Sequence, residues 1–254
     1  MAAPTVALEL YTVRDELERD FAGTLRRVAA MGYPAVEGGH YGHIGSHEMK
    51  ALLDETGLQV SAVLVGLPAL EADLDAEIDY CRVIGSSYLV LSWVHPAQLA
   101  GDVLPALAQR LNEFGHRCRE RGLVFGYHNH DHEFAQRDGA YLLDHLLDAT
   151  DPALVVLELD VYWAAYAGAD PTAYLRRRAG RVPLLHLKDM AADRSFAEVG
   201  DGTLDLPAIF AAAEYPRSGS GGARWYVVEH DHPTMPSLES ARRSLENLRA
   251  MGKA

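Results

Sequence analysis

The stretch YHNHDHEF at 127–134 sets His128, His130 and His132 among Asn129, Asp131 and Glu133, directly after the apolar run LVFG. Imidazole changes protonation near neutral pH and is a common metal ligand. Carboxylates add hard oxygen donors and general bases. Such a run is either a solvated turn rich in histidine or one part of a cluster that meets a metal or a substrate. Residues of the same kinds recur further along the chain. Glu9 and Glu37 lie in early apolar runs, Asp160 closes LELD, His186 precedes Lys188 and Asp189 in HLKD, and Glu229 stands in VVEHD. His40, His43, His95, His230 and His232 also fall at or just after apolar runs. Each alone is explained by a hydrogen bond in a loop. Taken together, carboxylates with an imidazole suit Mn²⁺, Mg²⁺, Co²⁺ or Zn²⁺ and leave positions for water and substrate.

These residues need elements that bring them together. Eight short runs read as strands: 6–12, 35–39, 59–65, 88–93, 123–129, 155–160, 182–188 and 224–230. Several are apolar on both faces, as parallel strands covered by helices should be. Between them lie amphipathic stretches such as AGTLRRVAAMG and DVLPALAQRLNEFGHRCRERG, whose leucines and alanines recur at helical steps. Glycine ends several of them and the next strand starts at once, as in AAMGYPAVE and RERGLVFGY. Eight alternations predict an α/β fold, a (β/α)8 TIM barrel formed by residues 1–254 as a single domain. An open doubly wound sheet would carry a glycine-rich loop after its first strand, and YTVRDELERD has no glycine there. In a barrel the strands' C-terminal ends share one mouth. Asp160, His186 and Glu229 end the sixth, seventh and eighth of these runs, and YHNHDHEF ends the fifth. Alternation along the fifth strand puts His128 and His130 on one face, so both can point into the mouth.

Composition sets outer limits. The formal net charge is −13, from 36 acidic and 23 basic residues, which disfavours binding to nucleic-acid phosphates or anionic lipid. Cys81 and Cys118 have no paired spacing and read as buried structural thiols in a reducing cytoplasm. The N-terminus lacks a basic region followed by a long apolar stretch, so no signal peptide is expected. No apolar run reaches membrane-spanning length. The expected partner is a small molecule, with a homodimer the one protein assembly entertained; nucleic acid and membrane are not expected.

LYTVRDEL, YHNHDHEF, LELDVYWAAYAGADP, HLKDM, EVGDGTLD and VVEHD resemble, in order and over nearly the whole chain, the sugar phosphate isomerase/epimerase group of the xylose isomerase-like TIM barrel superfamily. The resemblance implies a metal-dependent isomerase or epimerase, or a related inosose dehydratase or 3-keto-sugar lyase, acting on a keto-sugar or cyclitol. It implies one divalent cation, Mn²⁺ first among the choices, held by a Glu, an Asp, a His and a second Glu. By motif the last three are Asp160, His186 and Glu229. The first is assigned to Glu133, with His128 as the alternative, since relatives carry it within strand five where this chain has His128. Glu133 and Glu229, with His128 and His130, are then the expected proton-transfer groups. Lys188, His95, Glu37 and Trp163 are the expected substrate contacts. Trp163 stands where ketose epimerases often have a histidine, and its indole suits stacking on a sugar face. Proton removal next to a metal-held carbonyl is common to isomerisation, epimerisation, dehydration and lyase chemistry. A metal-dependent endonuclease of the same fold and an inactive sugar-binding barrel remain the alternatives.

Overall fold

The computed structural model describes residues 3–40, 44–214 and 222–254. His43 and most of the Gly/Ser-rich stretch before the last strand lie outside the described residues. Parallel strands form the wall of a barrel: β1 (Thr5–Glu9), β2 (Ala35–Glu37), β3 in two pieces (Gln59–Val60 and Val63–Val65), β4 (Tyr88–Leu91), β5 (Val124–His128), β6 (Val155–Asp160), β7 (Leu184–Leu187) and β8 (Trp225–Val228). The first piece of β3 pairs with β2 and the second with β4, so the split strand joins the two edges of the sheet. At the break Ser61 N–H donates to Val36 O at 3.0 Å, and Leu64 N–H donates to Gly38 O at 3.3 Å. The barrel closes there, which is why nine ladder segments correspond to eight strands in sequence.

Most strands are shorter than their apolar runs, β6 being an exception. The first stops at Glu9, whose carboxylate accepts the Tyr11 N–H at 3.3 Å and turns Leu10–Val13 into a 3₁₀ turn. Helices follow each strand and cover the wall, among them Phe21–Met31, Ser46–Thr56, Leu67–Ile84, Val103–Glu120, Leu206–Ala213 and Ser237–Ala250. Gly32 and Gly85 end two of these helices at φ +96° and +81°, a left-handed backbone that side chains disfavour. The outward face of the wall is apolar: Val6, Leu8, Val36, Leu89, Leu91, Phe125, Leu157, Leu159, Leu185, Leu187, Tyr226 and Val228 are buried with the helices' leucines in the main core. Cys81 and Cys118 are buried free thiols, and burial pushes Cys118 up to about 12. Among the described residues no helix is long and apolar enough to cross a membrane.

The inward face divides into two tiers. Toward the N-terminal ends, Ala62, Tyr88, Val90, Leu184, Ala7, Ala35 and Val227 form small apolar clusters with Val156 and Trp225. Toward the C-terminal ends the same strands present Glu9, Glu37, His128, Glu158, Asp160, His186, Lys188 and Glu229, all buried. Because successive side chains alternate between faces, the first polar residue on each of these strands sits two positions beyond an apolar residue or glycine on the inward face.

Candidate active site at the barrel mouth

Register fixes the arrangement before any side-chain contact does. On β5 and β6 His128 lies opposite Glu158, and on β6 and β7 Asp160 lies opposite His186. Nitrogen or oxygen atoms of His128, Asp160 and His186 lie within 4.8 Å of one another, and so do those of Glu37, Glu158 and His186. The rings of His128 and His186 are 4.4 Å apart. His186 is the hub: Nδ1 is 2.7 Å from Glu229 Oε2, and Nε2 is 2.5 Å from Glu37 Oε1. Lys188 reaches the same group from β7, its Nζ at 3.2 Å from Asp160, 3.0 Å from Glu229 and 3.0 Å from Asp231.

Burial and charge work against each other here. Burial alone would push His186 down, but Glu158 and Glu37 outweigh it and hold the imidazole well above its usual range. Lys188 follows the same logic: burial opposes its charge, and Asp160, Glu229 and Asp231 keep it firmly protonated. Glu229 is held well below the usual carboxylate range, since Lys188 and His186 overcome its burial. It is therefore an ionised base at neutral pH. Burial and the nearby charge of His186 keep His128 neutral, while burial and Lys188 push His130 down to about 3. Glu158 is driven well above its usual range by burial and then by Glu37.

Above this cluster opens a cavity of about 290 Å³, lined by Glu9, Tyr11, Leu64, Ser92, Trp93, His128, His130 and Glu229. A second hollow of about 480 Å³ lies between Tyr162, Trp163, Tyr166 and Phe196. The Trp163 ring stands 5.7 Å from His130 and has Lys188 Nζ 5.4 Å from its centre. Its backbone N–H donates to Asp160 Oδ1 at 2.9 Å, so Asp160 caps the helix Val161–Tyr166 with one oxygen. The other oxygen, Asp160 Oδ2, is the one paired with Lys188 Nζ, whereas among the described residues Glu158 Oε1 and His130 Nδ1 are buried with no hydrogen-bond partner.

The structure gathers His128, His130, Asp160, His186, Lys188, Glu229 and Glu37 at the mouth and turns two other sequence candidates to different work. Glu133 is buried, but its carboxylate accepts from Tyr127 Oη at 2.7 Å and from the His130 N–H at 2.9 Å, and His132 Nε2 lies 3.2 Å away. It braces the turn that carries His130. The His95 ring accepts the Ala97 N–H at 3.2 Å and caps a 3₁₀ turn. Asp189 also faces away from the mouth; it accepts four backbone N–H groups, from Met190, Gly200, Gly202 and Leu204, and so clamps the EVGDG loop. A Cβ on Gly202 would fall 2.2 Å from that carboxylate, so the loop needs glycine there. Sequence reasoning passed over Glu158. The signal was present, because Glu158 is two residues before Asp160 on the same strand and must share its face.

The model of the xylose isomerase-like TIM barrel family matches residues 25–251. The chain belongs to that family. It is 26% identical to an inosose dehydratase of Geobacillus kaustophilus, over 81% of this chain and 78% of the relative. It is 26% identical to the rhizopine catabolism protein MocC of Rhizobium meliloti, over 91% and 81% of the two chains. Among solved structures, a sugar phosphate isomerase/epimerase from Parabacteroides distasonis superposes with a TM-score of 0.81 at 26% identity, covering 98% of this chain and 95% of the other. An L-ribulose 3-epimerase shares the fold, with a TM-score of 0.75 at 17% identity and 98% and 94% coverage.

Proposed function

We propose that the enzyme removes the proton next to the ketone of a keto-sugar or keto-cyclitol, using a divalent cation held by His128, Asp160, His186 and Glu229. Dehydration is the outcome favoured by the inosose dehydratase relatives, and epimerisation is the second reading, favoured by the isomerase/epimerase neighbour. The observation that carries the proposal is the convergence of two imidazoles and two carboxylates from β5 to β8 beside a buried ammonium.

The donor set fits a cation. Asp160 Oδ2 is buried and faces a cationic neighbour, Lys188 Nζ at 3.2 Å, and Nδ1 of His186 faces Glu229 across 2.7 Å, so the donors are gathered where positive charge is needed. Mixed imidazole and carboxylate donors suit Mn²⁺, Co²⁺ or Zn²⁺ better than Mg²⁺. His128 takes the first position in this set, because Glu133 is committed to Tyr127 and the His130 backbone. A bound cation would supply Lewis-acid polarisation of the ketone and its neighbouring hydroxyl.

The chain's own residues do the rest. Glu229, ionised beside Lys188, takes the α-proton. In dehydration the β-hydroxyl then leaves with a proton as water, so a C–H and a C–O bond break and a C=C bond forms. The Lys188 ammonium offers hydrogen bonds to the oxygen on which negative charge develops. His130, neutral and lining the cavity, is placed for a substrate hydroxyl. Trp93 and Trp163 offer apolar faces on which a sugar ring can stack. Incubation of keto-sugars and inososes with the Mn²⁺-loaded enzyme in D₂O, followed by proton NMR, tests the reading. Loss of the α-proton signal, with water elimination or with exchange, is expected. Turnover that leaves that proton in the product's carbon skeleton, as a hydride shift does, would overturn it.

A further inference from the structure

We propose that Glu158 is the positioning residue for His128, accepting at Oε2 the hydrogen bond that sets which ring nitrogen His128 presents to the cation. The inference rests on the cation site proposed above for His128 and His186. Glu158 Oε2 lies 3.2 Å from Nδ1 of His128 and 3.4 Å from Nε2 of His186. Register places Glu158 directly beside His128 on one side, and beside Leu184 on the other, one inward step below His186. The carboxylate therefore lies beneath the gap between the two rings, whose centres are 4.4 Å apart. All three residues are buried.

The chemistry follows from the imidazole's two nitrogens. A neutral ring carries its proton on one nitrogen and a ligating lone pair on the other. If His128 donates Nδ1–H to Glu158, its lone pair is on Nε2. His186 has its own partner: if it donates Nε2–H to Glu37, Nδ1 faces Glu229 as ligand. Glu37 holds His186 more closely, at 2.5 Å, and is itself fixed by Ser61 Oγ at 2.8 Å. Among the described residues no second carboxylate lies within hydrogen-bond distance of His128 Nδ1, so Glu158 decides its tautomer. Outer partners of this kind, accepting from metal-bound histidines, are worth about 10- to 100-fold in metal affinity.

The test needs two readouts. Long-range ¹H–¹⁵N NMR of the metal-free enzyme should find His128 as the Nδ1–H tautomer; finding Nε2–H would overturn the proposal without any variant. Glu158→Leu removes the acceptor at similar size. It should redistribute the His128 tautomers and weaken Co²⁺ binding by about 10- to 100-fold, followed through the visible absorption of Co²⁺. Glu158→Gln keeps a carbonyl oxygen at the same place and should restore most of both signals. Unchanged tautomer and affinity in folded Glu158→Leu, or an equal loss in Glu158→Gln, would overturn the role; the second result is what a direct ligand would give. If the wild-type enzyme binds no divalent cation while the tautomers respond as stated, the cation site is wrong and the positioning role stands.

Discussion

The lower and upper halves of the barrel interior are built from the same strands and the same face, yet share no chemistry. On β6 the inward sequence is Val156, Glu158, Asp160; on β7 it is Leu184, His186, Lys188; on β8 it is Trp225, Val227, Glu229. One two-residue step, about 7 Å at the usual strand rise, takes the chain from a dry apolar floor to a layer of interlocked charges. The difference teaches what each half does for the other. The floor closes the barrel below the site, so the charges meet water only from the mouth, and their interactions are stronger than in bulk solvent. The charged layer survives there because its members answer one another. Lys188 stands against three carboxylates, and His186 against Glu37 and Glu229.

Substitutions in the two halves should therefore separate. The largest effect belongs to the upper layer. Glu229→Gln keeps the side chain's size and one ligating oxygen but removes the base, so turnover should fall by about 10²- to 10⁴-fold while bound metal, measured by elemental analysis, is largely kept. Equal loss of metal and turnover would make Glu229 a ligand and nothing more. In the floor, Leu184→Ala should lower unfolding free energy by about 2–5 kcal/mol, read from denaturant melts, and leave metal content per folded molecule unchanged. A drop in metal content there would break the division between the halves. Gly126→Ala tests the floor from the opposite direction. Its Cβ would fall 2.9 Å from Val90 Cγ2, and the overpacking should cost about 1–3 kcal/mol. Asp170→Ala serves as a control outside both halves. Asp170 accepts the Thr172 and Ala173 N–H groups at 2.9 and 3.1 Å, and loss of this cap should cost about 1 kcal/mol with turnover unchanged.

The barrel was legible because its signals are local. The outward face of each strand and the covering helices both need apolar residues at fixed periods, and glycine ends the helices where the backbone turns left-handed. The sequence also marked Asp160, His186 and Glu229, since each stands at the end of an apolar run and alternation alone carries it to the mouth. Glu158 was legible by the same alternation, since it stands two residues before Asp160 on one strand and must share its face, but its position inside the apolar run rather than at its end drew attention away from it.

By itself, then, the chain determined its strands, its helices and which residue types would meet at one end of the barrel, because those depend on periodicity and chain order. Only the tertiary structure decided which of two neighbouring candidates turned inward. Glu133 was taken up by Tyr127 and the His130 N–H, whereas His128 was set against Glu158 across the β5–β6 register. The physical reason is that a side chain five residues beyond a strand follows the hydrogen bonds of its turn, while a side chain on the strand has its direction fixed by the pleat. Partners on β2, β6 and β8 then choose the protonation of each group. Those partners lie as far as 149 residues away in sequence, as Glu37 is from His186, and closure of the barrel brings them together.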